Sequence, residues 1–420
     1  MERINALLIG SGGRESALYT TVSTSELVHK LLVAPGNGGI SEHYRRDVKE
    51  NNLDGIVALA KQEDSNLVVV GPEAPLVMGL ADRLRHEGIR TFGPSAAAAE
   101  LEGSKIFTKS RCRKWDIPTA NFDFAGDFQV AKRIIERTGF LVIKADGLCA
   151  GKGVVVADSQ EEAIEAAHRF LVEKIHGKAG ERITIEERLY GPECSMMFLC
   201  DGVNAIALPA ARDYKRAFDG DMGQNTGGTG AYSPLPDVGP EITAIVLKRM
   251  ILPTLRGMAK RGTPFLGLLY AGIMLTQAGP KLVEYNVRFG DPETQVVLPR
   301  LASDIVPYLI AATELGGLAK VPALAVKSAA AVAVVLMSNG YPGTYETGFE
   351  IKGVEASDFA NHIFHAGTRM APNLRTSGGR VLNVVGLGET IADARSSAYA
   401  RVKTIYFKGM RYRTDIAKDV

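Results

Sequence analysis

The segment Glu284–Arg288 combines a carboxylate, an amide and a guanidinium within a predicted strand. Because alternate side chains of a strand point to the same face, Glu284 and Asn286 lie together, with Arg288 next along that face if the strand continues. Carboxylate and amide oxygens are hard ligands suited to Mg²⁺ held against phosphates, and arginine can pair in bidentate fashion with a carboxylate or a phosphate. The alternative, the polar face of an exposed strand, fits the apolar neighbour Phe289 poorly. The segment therefore predicts a metal site with an anion site beside it.

Lys144 and Lys152 flank a glycine-rich turn between two predicted strands. Glycines allow the backbone to approach a ligand closely, and a lysine provides a mobile point charge for phosphate oxygens. The turn is not a P-loop, because the pattern G-x-x-x-x-G-K-[ST] is absent from the sequence. Most lysines are solvated surface residues, but two of them around one such turn favour a hairpin that covers phosphates. We therefore expect both lysines to contact a nucleotide.

Three loops rich in glycine or proline, 10–15, 35–39 and 71–76, follow predicted strands near the N-terminus. The first loop opens a helix, whose free N–H groups attract anions. Glu15 occupies the place of the third glycine of a dinucleotide fingerprint, which argues against NAD. A tight turn without a ligand is the alternative for that loop. Loops at the carboxyl ends of neighbouring parallel strands converge, so the three loops together predict a substrate site.

Alternating apolar runs and helical patterns organise the first hundred residues, which predicts a doubly wound parallel α/β sheet. The predicted strands are Ala6–Ile9, Lys30–Ala34, Leu67–Val70 and Arg90–Phe92, and the predicted helices are Arg14–Thr24, Leu53–Gln62 and Val77–Glu87.

Two boundaries, near Gly103 and near Val321–Val326, predict three domains: 1–103, 104–325 and a small α+β domain, 326–420. The central part contains a β-rich stretch, a long glycine-rich loop, a helix, a β-hairpin and a further helical stretch, over Arg182–Ala207, Pro209–Pro236, Ile242–Lys260, Leu266–Asn286 and Ser303–Glu314. In the tail, strands are predicted at Ala329–Met337, Ile363–Gly367 and Arg380–Gly386, and a helix at Ile391–Ile405. The long loop could close on a substrate and exclude water, or it could be a flexible excursion.

The composition is that of a soluble globular protein, with 46% hydrophobic and 23% charged residues and a net charge of +2. This balance gives no argument for a nucleic-acid or membrane-surface role. The first residues lack the features of a signal peptide, no apolar stretch is long enough for a membrane span, and the four scattered cysteines suit a reducing compartment. We therefore expect a cytoplasmic protein. A nucleophile-dependent hydrolase is disfavoured, because no G-x-S-x-G elbow and no recognisable histidine dyad occurs.

Together these stretches resemble the phosphoribosylamine–glycine ligase family, also called glycinamide ribonucleotide synthetases, of the ATP-grasp superfamily. The most specific match is Arg288–Gln295, with the sequence RFGDPETQ. Further matches are Gly10–Glu15, Gly71–Leu76, Leu101–Lys105 and Lys144–Gly147, and the tail contributes Phe364–Thr368 and Gly378–Val381. The resemblance runs over nearly the whole chain. It implies a central ATP-grasp fold between an N-terminal preATP-grasp sheet and a C-terminal domain.

The resemblance also implies an activity, the ATP-dependent joining of glycine to 5-phosphoribosylamine through glycyl phosphate in purine biosynthesis. The implied cofactors are ATP and Mg²⁺, for which Mn²⁺ could substitute, and the protein is expected to be a monomer that binds small molecules and neither nucleic acid nor membrane. The residues implied at the nucleotide are Lys105, Lys144, Lys152, Glu187, Leu189 and Glu193, and those at the metal are Glu284 and Asn286. Those implied at the substrates are Gly10, Gly12, Gly13, Arg14, Asn37, Glu73, Pro75, Asp213, Arg288, Gly290 and Asp291. Arg288, Asp213 and Lys144 are the expected catalytic residues.

Three other functions are weighed against this one. Another ATP-grasp ligase of nucleotide synthesis would share the chemistry of Mg²⁺ and ATP and would differ in its acceptor. An NAD-dependent oxidoreductase is disfavoured by Glu15, and a non-catalytic nucleotide sensor is disfavoured by the retained Glu284, Asn286 and Lys144.

Overall fold

The computed structural model describes residues 3–149, 152–354 and 362–420. Its N-terminal region is a four-stranded parallel sheet with the strand order β2-β1-β3-β4. The strands are β1 (Ile4–Gly10), β2 (Val28–Pro35), β3 (Leu67–Val70) and β4 (Arg90–Phe92), and the helices are α1 (Gly13–Ser23), α2 (Leu53–Gln62), α3 (Glu73–Val77), α4 (Leu80–His86) and α5 (Ala96–Gly103).

Both faces of this sheet are covered. Leu7 of β1 belongs to a core that includes residues of α2 and α4, whereas its neighbour Leu8 belongs to another core with residues of α1. Continuous apolar strands buried on both faces are typical of a parallel α/β sheet. The predicted doubly wound parallel sheet is confirmed.

The predicted helix Val77–Glu87 is wrong in its bounds, because the structure has two helices here. The first, α3, begins earlier, at Glu73, inside a stretch predicted as a loop. Gly79 separates it from α4 with a φ of 91°, a left-handed conformation that glycine adopts without strain.

The central region contains two four-stranded antiparallel sheets, ordered β5-β8-β6-β7 and β10-β9-β15-β16. The first sheet and its helices have a core of their own, made of residues between Ala125 and Ile185. The elements of this part are α6 (Lys105–Lys114), β5 (Phe122–Ala125), α7 (Phe128–Thr138), β6 (Val142–Ala145), β7 (Val154–Val156), α8 (Gln160–Leu171) and β8 (Ile183–Glu186). Those of the second sheet are β9 (Glu193–Asp201), β10 (Ala205–Ala207), β15 (Leu266–Thr276) and β16 (Gly279–Asn286).

The predicted helix Ile242–Lys260 contains a π-helical turn. Helices α9 (Pro240–Val246) and α10 (Leu252–Lys260) are joined through Leu247–Ile251. Pro253 lies just after this turn and has no N–H to donate, so an irregular pattern of backbone hydrogen bonds is expected at this position. Two short helices follow, α11 (Glu293–Val297) and α12 (Val306–Ala311), and single 3₁₀ turns lie at Glu42–Tyr44, Gly177–Gly180, Asp219–Asp221, Leu298–Arg300 and Gly317–Lys320.

The segment Pro209–Pro236, predicted as a long loop, is largely extended and paired. It forms β11 (Arg212–Asp213), β12 (Arg216–Phe218), β13 (Met222–Asn225) and β14 (Gly230–Ser233). β12 and β13 pair with each other, whereas β14 pairs antiparallel with the C-terminal strand β17 (Ala330–Ser338). The alternative of a flexible excursion does not describe the paired strands, because β12 and β13 pair with each other and β14 pairs with β11 and with the distant β17.

The C-terminal region builds a six-stranded sheet, ordered β11-β14-β17-β21-β18 with β22 on β17. A two-stranded ribbon and helix α13, which packs on β21, complete this region. Its remaining elements are β18 (Ile363–His365), β19 (Thr368–Ala371), β20 (Asn373–Thr376), β21 (Arg380–Gly388), α13 (Ile391–Val402) and β22 (Met410–Arg411). Within the described residues, none of the helices is both long enough and apolar enough to cross a lipid bilayer.

Candidate active site

A cavity of about 920 Å³ lies between the two antiparallel sheets of the central region. The N-terminal loops contribute Glu73 to its wall, and the C-terminal region contributes Tyr341 and Arg380. Most of the residues predicted for function line it: Arg14, Glu73, Lys105, Lys144, Lys152, Glu187, Leu189, Glu193, Asp213, Glu284, Asn286, Arg288 and Asp291. Residues separated by up to 277 positions, from Arg14 to Asp291, thus meet in one space.

Glu284 and Asn286 lie at the end of β16 and both line the cavity. Burial raises the pKa of the Glu284 carboxyl, but the charges of Lys105 and Lys144 outweigh this and hold its pKa below the usual range. The Glu284 carboxyl is therefore held in its ionised form. The described residues contain no cluster of three or more His, Cys, Asp or Glu side chains suited to a metal. One carboxylate and one amide fit Mg²⁺ that is bound mainly through a nucleotide's phosphates, since Mg²⁺ commonly takes few protein ligands.

Lys144, at the end of β6, is buried and shares the carboxylate of Glu186 with a second lysine. Glu186 Oε2 lies 3.1 Å from Lys144 Nζ and 2.7 Å from Lys109 Nζ. Although burial opposes it, these two amines lower the pKa of Glu186 to about 2. Burial lowers the pKa of Lys144, but Glu186 and Glu284 raise it more strongly. Lys144 is thus held as an ammonium ion that faces the cavity.

Lys105 begins helix α6 and is fixed through the residue before it. The Ser104 hydroxyl donates to Asp146 Oδ1 at 2.7 Å and caps the helix through Phe107 N. The same Asp146 oxygen accepts the N–H of Ile106, which ties α6 to the turn after β6. Lys152 instead is exposed and donates to Pro342 O at 3.3 Å. Ala150 and Gly151 of the predicted phosphate-covering turn lie outside the described residues.

Glu187, Leu189 and Glu193 follow β8 along one edge of the cavity. Glu187 lies 2.9 Å from Lys281 Nζ and accepts a hydrogen bond from Asn121. Leu189 is half-buried. This edge of the cavity is polar, with Leu189 as its apolar residue.

Arg288 is held in the cavity by two carboxylates from the N-terminal region. Its Nε lies 3.2 Å from Glu73 Oε2 and its Nη2 lies 3.2 Å from Glu102 Oε1, while Nη1 donates to Phe289 O. Burial lowers the pKa of Arg288, but Glu102 and Glu73 raise it further. Burial raises the pKa of Glu102 to about 7, against the opposing effect of Arg288. Glu102 also accepts a hydrogen bond from Val287 N at 2.7 Å.

Asp213 and Glu193 are joined by Lys215. The Lys215 amine lies 2.8 Å from Asp213 Oδ1 and 3.0 Å from Glu193 Oε1. Burial raises the pKa of Asp213, whereas the charge of Lys215 opposes this. The lysine therefore links the carboxylate expected at glycine with one expected at the ribose.

Asp291 is paired with Arg380 from the C-terminal region. Its Oδ2 lies 3.2 Å from Arg380 Nη2, and its Oδ1 accepts a hydrogen bond from Gln295 at 2.6 Å. Burial raises the pKa of Asp291, but Arg380 and Arg14 lower it below the usual range. Arg14 also donates to Phe289 O at 3.0 Å.

Six predicted substrate residues are not among the described residues of the cavity wall: Gly10, Gly12, Gly13, Asn37, Pro75 and Gly290. A Cβ at Gly10 or Gly12 would meet the Glu15 side chain, one at Gly13 would collide with Asn383 and Gln295, and one at Gly290 would meet Glu293. The Asn37 amide donates to Ser11 O and, at 2.9 Å, to His365 O. Pro75 is buried in α3. These residues support the packing of the loops behind the cavity.

Among the cavity residues to which the sequence assigned no function are Glu102, Lys109, Glu186, Lys215 and Arg380. Four of them stand inside or beside stretches that the sequence did single out, since Glu102 precedes Lys105, Glu186 precedes Glu187, Lys215 follows Asp213 and Arg380 lies in Gly378–Val381. Their position inside or beside those stretches is the sequence feature that could have identified them. Lys109 had no signal, because its position one turn after Lys105 is that of an ordinary surface lysine.

The three parts of the chain each match a domain model of one protein family. Residues 4–102 match the N domain of phosphoribosylglycinamide synthetase, residues 103–294 its ATP-grasp (A) domain, and residues 331–419 its C domain. The chain belongs to the phosphoribosylglycinamide synthetase family. The predicted family, the central ATP-grasp fold and the enzyme class, an ATP-dependent ligase, are confirmed.

Curated relatives in the family cover the chain from end to end. The phosphoribosylamine–glycine ligase of Caulobacter vibrioides is 48% identical over 422 residues, covering 99% of this chain and 98% of the relative. That of Mesorhizobium japonicum is 48% identical over 419 residues, with 98% and 97% covered.

Solved structures agree with this family. The crystal structure of phosphoribosylamine–glycine ligase from Thermotoga maritima is 34% identical, covers 98% of this chain and 100% of its own, and has a TM-score of 0.84. The biotin carboxylase domain of Hydrogenobacter thermophilus 2-oxoglutarate carboxylase covers 98% of this chain and 92% of its own, with a TM-score of 0.71 at 16% identity. At that identity the likeness extends to the fold alone.

Proposed function

We propose that the cavity binds ATP with Mg²⁺ and ligates glycine to 5-phosphoribosylamine, giving glycinamide ribonucleotide, ADP and phosphate. The observation that carries this proposal is the meeting of Glu284 and Asn286 with Lys144 and Arg288 on the wall of one cavity. Phosphoryl transfer depends on positioning and charge neutralisation, which such a set provides. The named activity of the relatives supports the choice of substrates.

The nucleotide is assigned to the end of the cavity between the antiparallel sheets. Lys105 and Lys144 would hold the phosphates, with Lys152 above them. Glu187, Leu189 and Glu193 would face adenine and ribose. Glu284 and Asn286 would hold Mg²⁺, which when bound neutralises phosphate charge, and Mn²⁺ could replace it.

Glycine and phosphoribosylamine are assigned to the end near the N-terminal loops. Arg288 would orient the glycine carboxylate beside Asp213, and Arg14, Glu73 and Asp291 would surround the acceptor. Gly10, Gly12, Gly13, Asn37, Pro75 and Gly290 would shape the loops that carry these side chains.

The reaction would proceed in two steps. A carboxylate oxygen of glycine attacks the γ-phosphorus of ATP, the bond to the bridging oxygen breaks, and ADP leaves with that electron pair. The phosphoribosylamine nitrogen then attacks the acyl carbon of glycyl phosphate, the C–N bond forms, phosphate leaves and the nitrogen loses a proton. Because water would hydrolyse the acyl phosphate, the enclosing walls protect it.

The finer organisation of the protein is part of the same proposal. We assign the domains to 1–103, 104–325 and 326–420. We assign the protein as a monomer in the cytoplasm that acts on small molecules, and the near-neutral charge supports the assignment that it has no nucleic-acid or membrane partners.

Measurement of ADP release, with and without each substrate, tests this function. We expect ADP formation to require Mg²⁺ and glycine and to rise with phosphoribosylamine. With hydroxylamine added, some glycine hydroxamate should form, and Arg288→Ala should abolish it, because arginine supplies both charge and orientation to the carboxylate. Release of ADP supported by bicarbonate or formate in place of glycine would indicate a different ATP-grasp ligase. Failure of every carboxylate to stimulate ADP release would refute the ligase function.

A further inference from the structure

Lys109, Lys144 and Glu186 form a buried group of charges on the cavity wall. The side chains of Lys109 and Glu186 are 4% and 3% exposed, and that of Lys144 is 6% exposed. Both amines contact the same oxygen, Glu186 Oε2, at 2.7 Å and 3.1 Å. The other oxygen of Glu186 accepts the hydroxyl of Thr184 at 2.9 Å. The carboxylate is therefore fixed on both sides.

Lys109 has further contacts that favour its charged form. It donates to Thr119 Oγ1 at 2.7 Å, and that hydroxyl donates onward to Leu282 O. Its amine also lies 5.7 Å from the centre of the Phe122 ring, within the range of a cation–π contact. Burial and the neighbouring charge of Lys144 hold the pKa of Lys109 below its usual range, against the opposing charge of Glu186. The contact with an ionised carboxylate at 2.7 Å is the stronger argument that Lys109 is an ammonium ion.

Within this group the two ammonium ions exceed the single carboxylate by one positive charge, and Glu284, whose charge also acts on Lys144, is the carboxylate assigned to Mg²⁺. If Glu186 faced Lys144 alone, the pair would be neutral and would offer little attraction to a polyphosphate. A charge that is mostly removed from water acts more strongly than one at the surface. Lys109 therefore increases the net positive charge that this group presents, through Lys144, to an anion in the cavity.

We propose that Lys109 is a positioning residue for the nucleotide phosphates, which compensates Glu186 so that Lys144 retains its positive charge, while Glu186 fixes where that charge lies. The inference rests on the proposed nucleotide site at Lys144. It assigns to Lys109 and Glu186 a role that their family membership alone does not give them. Buried ion pairs can also be merely structural, so the test must separate charge from folding.

A charge-compensation cycle provides that separation. Lys109→Met removes one positive charge and keeps the length of the side chain, Glu186→Gln removes the negative charge, and the double variant removes both. Isothermal titration calorimetry with ATP, ADP and adenosine would measure each Kd, and ADP release would measure kcat. Lys109→Arg retains the charge, and Cys112→Ala, a buried neutral change in the same helix, controls for loss of stability.

We expect Lys109→Met to weaken the binding of ATP and ADP by about tenfold while adenosine changes by less than about twofold. The double variant should recover most of the ATP affinity, because Lys144 is again uncompensated. Its kcat should stay low, because the carboxylate that fixes Lys144 is absent. Lys109→Arg should resemble the wild type in ATP affinity, and Cys112→Ala should leave the ratio of ATP to adenosine affinity unchanged.

Several outcomes would overturn the inference. These are an unchanged ATP affinity in folded Lys109→Met, an equal loss for adenosine and ATP, and a double variant that binds ATP no better than Lys109→Met. If Lys109→Met does not fold, the double variant is compared with Glu186→Gln, from which it differs only at Lys109. Because the compensating role of Lys109 requires the Glu186 carboxylate, these two variants should bind ATP about equally, and a further loss of ATP affinity in the double variant would reject the role. Absence of ATP binding by the wild-type protein would instead reject the proposed function.

Discussion

Glu102 Oε1 lies 3.2 Å from Arg288 Nη2. The other oxygen of the same carboxylate accepts a hydrogen bond from Val287 N, which lies 185 residues later in the chain. Glu73 holds the other side of the same guanidinium. Arg288 therefore meets two carboxylates before any substrate arrives, and the protonation of Glu102 decides how much positive charge it can offer.

We predict a pH dependence that originates at Glu102, whose pKa burial raises to about 7. Below that pH the carboxyl is neutral and Arg288 is freer to attract the glycine carboxylate, so KM for glycine should rise as pH increases through about 7. Glu102→Gln should remove this dependence. Steady-state kinetics between pH 6 and 8.5 would measure it, using roughly half-unit steps. The same inflection in Glu102→Gln would assign the titration to another group.

The same carboxyl should make stability depend on pH. Because its pKa is raised in the folded state, its favourable contribution is complete below the ordinary glutamate pKa of 4.5 and is lost as pH rises through about 7. The wild type should therefore lose stability relative to Glu102→Gln by roughly 1 to 3 kcal/mol between those pH values. Denaturant unfolding of both proteins at the two pH values would measure the difference, and a constant difference would contradict the assignment.

Substitution of the proposed metal ligands should alter magnesium dependence without loss of the fold. Glu284→Gln removes the negative charge of one proposed ligand, and Asn286→Ala removes the amide oxygen of the other, both at the end of β16. We expect the Mg²⁺ concentration for half-maximal ADP release to increase about tenfold or more. Glu241→Gln, at an exposed position of α9, is the control. Unchanged magnesium dependence in both variants would remove the metal assignment.

Lys144→Met should impair nucleotide binding or phosphoryl transfer more than Lys152→Met. Lys144 is buried and fixed by Glu186, whereas Lys152 is exposed and contacts Pro342 O. A fixed charge loses little freedom when it binds a phosphate, so its removal costs more. Calorimetric titration and turnover would rank the two variants. The reverse order would mean that the exposed lysine dominates the phosphate contacts.

Gly13→Ala should destabilise the protein because a methyl group there collides with the side chains of Asn383 and Gln295. Both neighbours are buried, so overpacking of roughly 1 to 3 kcal/mol is expected. Gly239→Ala is the matched control, since its added methyl group meets nothing within 4 Å. Thermal unfolding of both variants would test this. Equal unfolding temperatures of the two variants would show that the side chains around Gly13 rearrange to accept the methyl group.

Much of the fold followed from local sequence pattern. The apolar run Leu67–Val70 matches its strand residue for residue, because a buried parallel strand needs a continuous apolar sequence, and the predicted bounds of Arg90–Phe92 also match. The segment Pro209–Pro236 was not predictable in this way. Its strand β14 exists because β17, almost a hundred residues later, pairs with it. A local sequence pattern does not identify a pairing strand that lies so far along the chain.

The residues of the candidate site also divide into those that the sequence could reveal and those that it could not. Glu284 and Asn286 could be found because strand alternation places them on one face, and both line the cavity. Lys109 could not be found, because its importance depends on Glu186, which arrives from β8 in a different part of the sequence. Asn37 showed the opposite problem. It lies in a glycine-rich loop that suggests a ligand, yet its amide is bonded to backbone oxygens of Ser11 and His365.

The pairing of β14 with β17 has a consequence for how the enzyme is made. Asp213 lies on β11, which pairs with β14, and β14 in turn pairs with a strand that begins at Ala330. A ribosome must therefore synthesise more than a hundred residues beyond Asp213 before that strand can dock. Until then the edge of β14 is unpaired and open to other chains. A nascent chain would acquire the cavity wall that we assign to glycine only late in translation, and a fragment that stops at residue 325 should be prone to aggregation and inactive.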